Sequence, residues 1–174
     1  MQKRIIHFIS FLILLGCASS KKFNTIVFSE QTNQDILTGN GNREVLKKEP
    51  FASWYINEYA NYNVDIETLE KISNERLKNI TIQVILGTWC PDSRREVPRF
   101  YKIMDHLNFP EEKITLIGVN RNKKAPLKDY QNLQIERVPT FIVYKNQKEI
   151  GRIVETPMKS LEKDLLDIII NPAY

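Results

Sequence analysis

Histidine and cysteine are nearly missing from this chain of 174 residues, which has two of each. His7 lies in the apolar N-terminal run, so His106 stands alone in the rest of the chain. No Cys/His spacing of a metal site and no Ser/His/Asp arrangement is present. The six glycines form no phosphate-cradling loop, and nucleotide and metal cofactors are not indicated. Charge of one sign is also scarce. The formal net charge is +4, with Lys3 and Arg4 supplying two of those charges from a segment expected to be removed. The remaining Lys and Arg alternate with Asp and Glu, the pattern of a solvated surface, so no nucleic-acid partner is expected.

Long apolar runs are missing too, and the longest, Ile5 to Leu15, is too short to span a bilayer as a helix. Behind Lys3 and Arg4 it reads as the apolar core of a signal peptide. The run ends Leu14-Leu15-Gly16-Cys17, followed by polar Ala18-Ser19-Ser20-Lys21-Lys22. That ending resembles the bacterial lipobox. The resemblance implies a signal peptide over 1–16 and a diacylglyceryl thioether on Cys17. The chain would then be held to a membrane through Cys17, with residues 17–42 as anchor and tether. Ala18 supplies no acidic retention signal, so the expected location is the outer membrane, facing the periplasm. With Cys17 consumed, Cys90 has no partner in the chain, and a structural disulfide is excluded.

The chain is organised around Ile80 to Tyr101. Ile80 to Leu86 is an apolar, β-branched run of buried-strand length. Gly87 and Thr88 end it, and Trp89-Cys90-Pro91-Asp92-Ser93 follow. Pro91 presets the first turn of an amphipathic helix running to Leu107, and Pro98 inside it predicts a kink. Cys90 thus falls between a buried strand and a helix N-terminus, where free N–H groups and the helix dipole favour an anion. A reactive cysteine is placed in such a position.

Around this centre, Thr25 to Phe28 suggests one loosely held strand at the end of the tether. After Pro50, the aromatics Phe51, Trp54, Tyr55, Tyr59 and Tyr62 recur at helical spacing, as the buried face of a helical extension over 43–64. Asp65 reads as the N-cap of a further helix with Ile66, Leu69, Ile72 and Leu77 on one face. Lys113 to Asn120 reads as a strand, and Arg121 to Glu136 as a polar connection with a short helix after Pro126. Thr140 begins a strand, Lys145 to Lys148 turn, and Glu149 to Glu155 return as a hairpin. Lys159 to Ile170 closes the chain as an amphipathic helix.

Trp89-Cys90-Pro91-Asp92-Ser93, with Arg137-Val138-Pro139-Thr140-Phe141-Ile142-Val143-Tyr144, resembles the paired motifs of the thioredoxin superfamily. The resemblance implies an α/β thioredoxin-like fold over residues 65–174, a central mixed sheet flanked by helices with an N-terminal extension. It further implies that Pro139 is cis, that Val138 and Pro139 face Cys90, and that Val138 offers backbone groups to an extended substrate. Trp89, Pro91 and Asp92 complete the expected substrate-binding set. The chain departs from the W-C-x-x-C pattern at Ser93, giving a C-x-x-S site. It looks like the thioredoxin-family lipoproteins of bacteria that carry W-C-x-D-S. Val84 stands where dithiol members carry a buried acid.

Cys90 and Ser93 are the expected catalytic pair. A dithiol reductase releases its substrate when the second thiol attacks the mixed disulfide, and a serine cannot do so. Ser93 can still donate a hydrogen bond to Cys90, while Arg94 and Arg95 add positive charge and Asp92 opposes it. The expected function is monothiol exchange, of reductase or isomerase type, on thiols and disulfides of envelope proteins, completed by an external thiol reductant. Two alternatives stand beside it. One is a non-catalytic module that captures peptides or client thiols, and the other a peroxide-responsive sensor oxidised at Cys90.

Overall fold

A strand apolar at nearly every position must be covered on both faces, and Ile80–Leu86 is found in the interior of a six-stranded sheet. The computed structural model describes residues 23–172. The expected signal peptide and Cys17 lie outside the described residues. In chain order the elements begin with strands β1 (Thr25–Ser29) and β2 (Gln34–Gly41), then helices α1 (Arg43–Leu46) and α2 (Ala52–Asn61). Two single-turn helices, α3 (Ile66–Leu69) and α4 (Asn74–Leu77), lead into β3 (Ile80–Leu86) and α5 (Pro91–His106). The chain ends with β4 (Ile114–Gly118), β5 (Thr140–Lys145), β6 (Lys148–Val154) and α6 (Leu161–Ile170). The sheet order is β1-β2-β4-β3-β5-β6, with β3 and β4 parallel and every other pair antiparallel. This is the mixed α/β thioredoxin-like fold.

The period-two alternation of β3 divides the core. Ile80, Ile82, Val84 and Leu86 join the larger apolar cluster with residues of all six helices, whereas Ile85 belongs to a second cluster with Cys90. On the first face, α5 packs against α2 and β3, and Phe100 stacks on Phe141 with ring centroids 4.6 Å apart. The buried members of the second cluster are Ile85, Cys90, Ile117, Val119, Tyr130, Val138 and Ile142. Leu127, Leu133 and Ile135 of the irregular connection pack against it. Cys90 therefore lies over the part of the sheet that a loop covers.

Three stretches differ from their sequence reading. The tether with one loose strand is, from Thr25, a β-hairpin whose second strand pairs with β4. Gly118 permits that seam, because a Cβ there would lie 2.4 Å from the Leu37 carbonyl oxygen. The helix expected after Asp65 is two single turns. Asp65 caps the first, accepting the Thr68 N–H at 3.1 Å, and Ser73 begins the second. Leu69, Ile72 and Leu77 are buried, but Ile66 is exposed. The α-helix expected after Pro126 is one 3₁₀ turn, Tyr130–Leu133, with Asp129 (φ 63°) and Gln134 (φ 51°) in the left-handed region at its two ends. Those conformations stop a helix from propagating either way. Pro98 is buried within α5, which is continuous through it.

The aromatic extension is packed as expected. Phe51 and Tyr55 are buried, and Trp54, Tyr59 and Tyr62 pack around them. Tyr62 donates its hydroxyl to the buried Glu162 at 2.7 Å, joining the extension to α6.

Burial raises the pKa of Tyr55, Tyr62 and Tyr101, and pushes that of Tyr130 up to about 12. A phenol with a raised folded-state pKa contributes stability that is complete below the unfolded value of about 10 and is lost as pH rises through the folded value. The expected result is a urea midpoint that falls steadily above about pH 10, with phenolate absorbance rising in step with loss of helical signal. Full phenolate formation in a chain that keeps its fold would contradict this.

Candidate functional site

Cys90 occupies the N-cap of α5 with extended dihedrals (φ −90°, ψ 126°), and Pro91 follows at the first helical position. Its own N–H donates to the Gly87 carbonyl at 2.8 Å, and its carbonyl accepts the Arg94 N–H at 3.0 Å. An N-cap side chain faces the unbonded N–H groups of the first helical turn. Here that side chain is a thiol, and no side-chain cap bond is made. The sulfur instead donates to the Val138 carbonyl at 3.3 Å. Val138–Pro139 is a cis peptide, and both residues are buried. The sequence-expected meeting of Cys90 with Val138 is therefore present as geometry, and the expected cis bond to Pro139 follows it. Cys90 is 8% exposed and is the one free cysteine among the described residues.

Ser93 is placed differently from its expected role. It is fully buried, and its Oγ accepts the Gly87 N–H at 3.2 Å. No hydrogen bond joins it to Cys90, and its bond is made to the turn that ends β3. The flanking charges are largely occupied. Arg95 lies between Asp92 and Glu96, at 2.7 Å from each. Arg94 folds back, donating through Nε to the Thr88 carbonyl at 2.6 Å and through its second nitrogen to the Gln34 side chain. Val84 is fully buried among apolar residues.

Trp89 is held at the rim. Its indole N–H donates to the Val119 carbonyl at 2.9 Å, the Arg121 guanidinium lies 5.2 Å from the ring centroid, and the ring fills the space a side chain on Gly87 would need. Pro91 is exposed and Asp92 half-buried.

Two parts of this site escape sequence reasoning. Thr88 is buried and its Oγ1 accepts the Leu37 N–H at 3.2 Å, so β2 is joined to the loop ahead of Cys90. Gln34 holds Arg94 from the same strand. Neither residue carries a local signal, since both bonds depend on where the hairpin docks. Among the described residues, no group of three His, Cys, Asp or Glu could hold a metal ion.

The site can perform one kind of covalent chemistry, nucleophilic attack by a single sulfur beside a backbone acceptor. A thioredoxin family model matches residues 48–165. No curated protein matches the chain. Among solved structures it is similar to a protein of unknown function from Pseudomonas aeruginosa, at 18% identity and TM-score 0.42, covering 68% of this chain and 78% of that one. Chlamydomonas reinhardtii thioredoxin f2 is 18% identical at TM-score 0.33, covering 44% of this chain and 66% of that one. A Malassezia sympodialis thioredoxin is 26% identical at TM-score 0.33, covering 44% of this chain and 63% of that one. The chain thus spans just under two thirds of these two thioredoxins' own length. The match over residues 48–165, more than half of the sequence, carries the assignment: the chain belongs to the thioredoxin family.

Proposed function

We propose that the chain is a membrane-anchored monothiol thioredoxin-like protein that exchanges disulfides on proteins of the cell envelope. The observation that supports this reading is the Cys90 sulfur at the N-cap of α5, 3.3 Å from the carbonyl that precedes cis-Pro139, with serine where the resolving thiol would stand. In the first step Cys90 gives up its proton to solvent, and the thiolate attacks a substrate disulfide. A Cys90–substrate disulfide forms as the other substrate sulfur departs as a thiolate and takes a proton. With the S–H gone, the Val138 carbonyl is free to accept an N–H of an extended substrate. One external thiol attacks the Cys90 sulfur, releasing the substrate as a dithiol and leaving a Cys90–reductant disulfide. A second external thiol cleaves that and restores Cys90, so two thiols become one disulfide as the substrate disulfide is reduced. Where a second cysteine of the substrate attacks the mixed disulfide instead, a new substrate disulfide forms, Cys90 leaves as a thiolate, and the net change is isomerisation.

The location is part of the same reading. Leu14-Leu15-Gly16-Cys17 supports lipidation at Cys17 and an outer-membrane position facing the periplasm. The test is a glutathionylated peptide offered to the reduced protein with excess glutathione. The expected result is many peptides released per protein molecule. A stoichiometric adduct on Cys90 without release would favour the capture-module reading, and no adduct would remove both.

A further inference from the structure

We propose that the outer edge of the β1–β2 hairpin docks on the lipid surface to which Cys17 is attached, through Phe23, Ile26, Val27 and Phe28. The inference rests on the lipid anchor proposed above and adds a second, apolar contact to it. β1 is the edge strand of the sheet, and its sequence Thr25-Ile26-Val27-Phe28-Ser29 has neither charge nor proline to discourage contact. Four large apolar side chains lie open together there: Phe23 is 55% exposed, Ile26 and Val27 39%, and Phe28 61%.

Two observations select lipid as the occupant. The first is reach. Five residues, 18–22, lie between the acylated Cys17 and Phe23, and at full extension that stretch spans at most about 20 Å. The hairpin cannot leave the neighbourhood of the membrane once Cys17 is acylated. The second is the shape of the apolar surface. Successive residues of a strand point to opposite faces, so Ile26 and Phe28 lie on one side and Val27 on the other. A pairing strand would cover the edge and leave both faces wet, whereas the acyl–headgroup boundary surrounds a protruding edge from all sides. Lys21 and Lys22, the two residues before Phe23 in sequence, carry the charge that suits anionic headgroups. The exposed Glu30 and Asp35, the latter paired with Phe28 across the hairpin, limit the docking to the acyl–headgroup boundary.

The test uses the full chain carrying Phe28→Trp, purified from a lipoprotein-processing bacterium. The protein is placed in phosphatidylethanolamine–phosphatidylglycerol vesicles with plain or brominated acyl chains. Phe28 is open enough to accept the larger ring. The fluorescence gained over the wild-type protein, which retains Trp54 and Trp89, should fall roughly twofold or more in the brominated vesicles. The mass of the N-terminal peptide reports separately whether Cys17 carries diacylglycerol. A lipidated chain whose added tryptophan is unquenched overturns the docking and leaves the anchor standing. A chain without lipid removes the anchor, and the docking with it. A lipidated, unquenched chain that sediments as a dimer in detergent would assign the edge to a second copy, which also overturns the proposal.

Discussion

Ser93→Cys is expected to shorten the life of a Cys90 mixed disulfide by at least about a hundredfold, because a neighbouring thiol attacks at an effective concentration far above any dissolved reductant. Cys90 is the N-cap of α5 and Ser93 lies on its first turn, three positions on, the separation at which an N-cap side chain and the third helical residue are neighbours. Serine at that place leaves the adduct to wait for an outside thiol. A cysteine would close an intrachain disulfide and expel the substrate as a thiol. The cost falls on stability, since Ser93 is fully buried and its Oγ is the acceptor of the Gly87 N–H. Sulfur accepts weakly, so the variant should lose about 1–2 kcal/mol. The measurement is the decay of a purified Cys90–glutathione adduct without added reductant, for the native protein and the variant. Cys90→Ala forms no adduct and sets the zero. Equal decay rates would mean that position 93 cannot reach the sulfur.

The second large effect is structural. Phe100 is buried on α5 and stacks on Phe141 of β5, with Tyr101 edge-on at 6.0 Å. Phe100→Ala should lose about 3–5 kcal/mol, made up of lost transfer energy and the cavity left at the junction of helix and sheet. Against a typical total stability of about 5–15 kcal/mol this is a large share. Urea denaturation should give a lower midpoint with an unchanged slope. A loss below about 1 kcal/mol would show that the site can collapse around the smaller side chain. The consequence reaches the thiol, because the helix that Phe100 fastens carries Cys90 at its N-cap. Alkylation of Cys90 in the variant should therefore lose its single rate and become heterogeneous.

The fold was most legible where pattern and turn chemistry agree. Ile80 to Leu86 has the length and side chains of a buried strand, Pro91 marks the helix that follows, and both stand at the expected places. The hairpin at the edge was less visible. In Gln34–Gly41 the apolar residues Ile36 and Leu37 are adjacent, and Gly39 and Gly41 dilute the rest. Adjacent residues point to opposite faces, so no alternation betrays a strand buried on both sides by distant elements. The connection before Val138 misled in the other direction. Leu127, Tyr130 and Leu133 are spaced like one face of a helix, but they are brought onto the sheet by left-handed residues at Asp129 and Gln134. Within the site, the meeting of Cys90 with Val138 was legible from two motifs far apart in sequence. The engagement of Ser93 was not, because it depends on which way the Gly87 amide points in the turn.

The bond from the Leu37 N–H to the Thr88 hydroxyl also gives the protein a native spectroscopic reporter. The resonance position of an amide proton follows the length of its hydrogen bond. In a ¹⁵N-labelled sample, one cross-peak from β2 therefore follows the loop ahead of Cys90, with no dye attached. Its displacement during titration with a disulfide would separate movement of that loop from chemistry at sulfur, which the same spectrum records at the Cys90 amide.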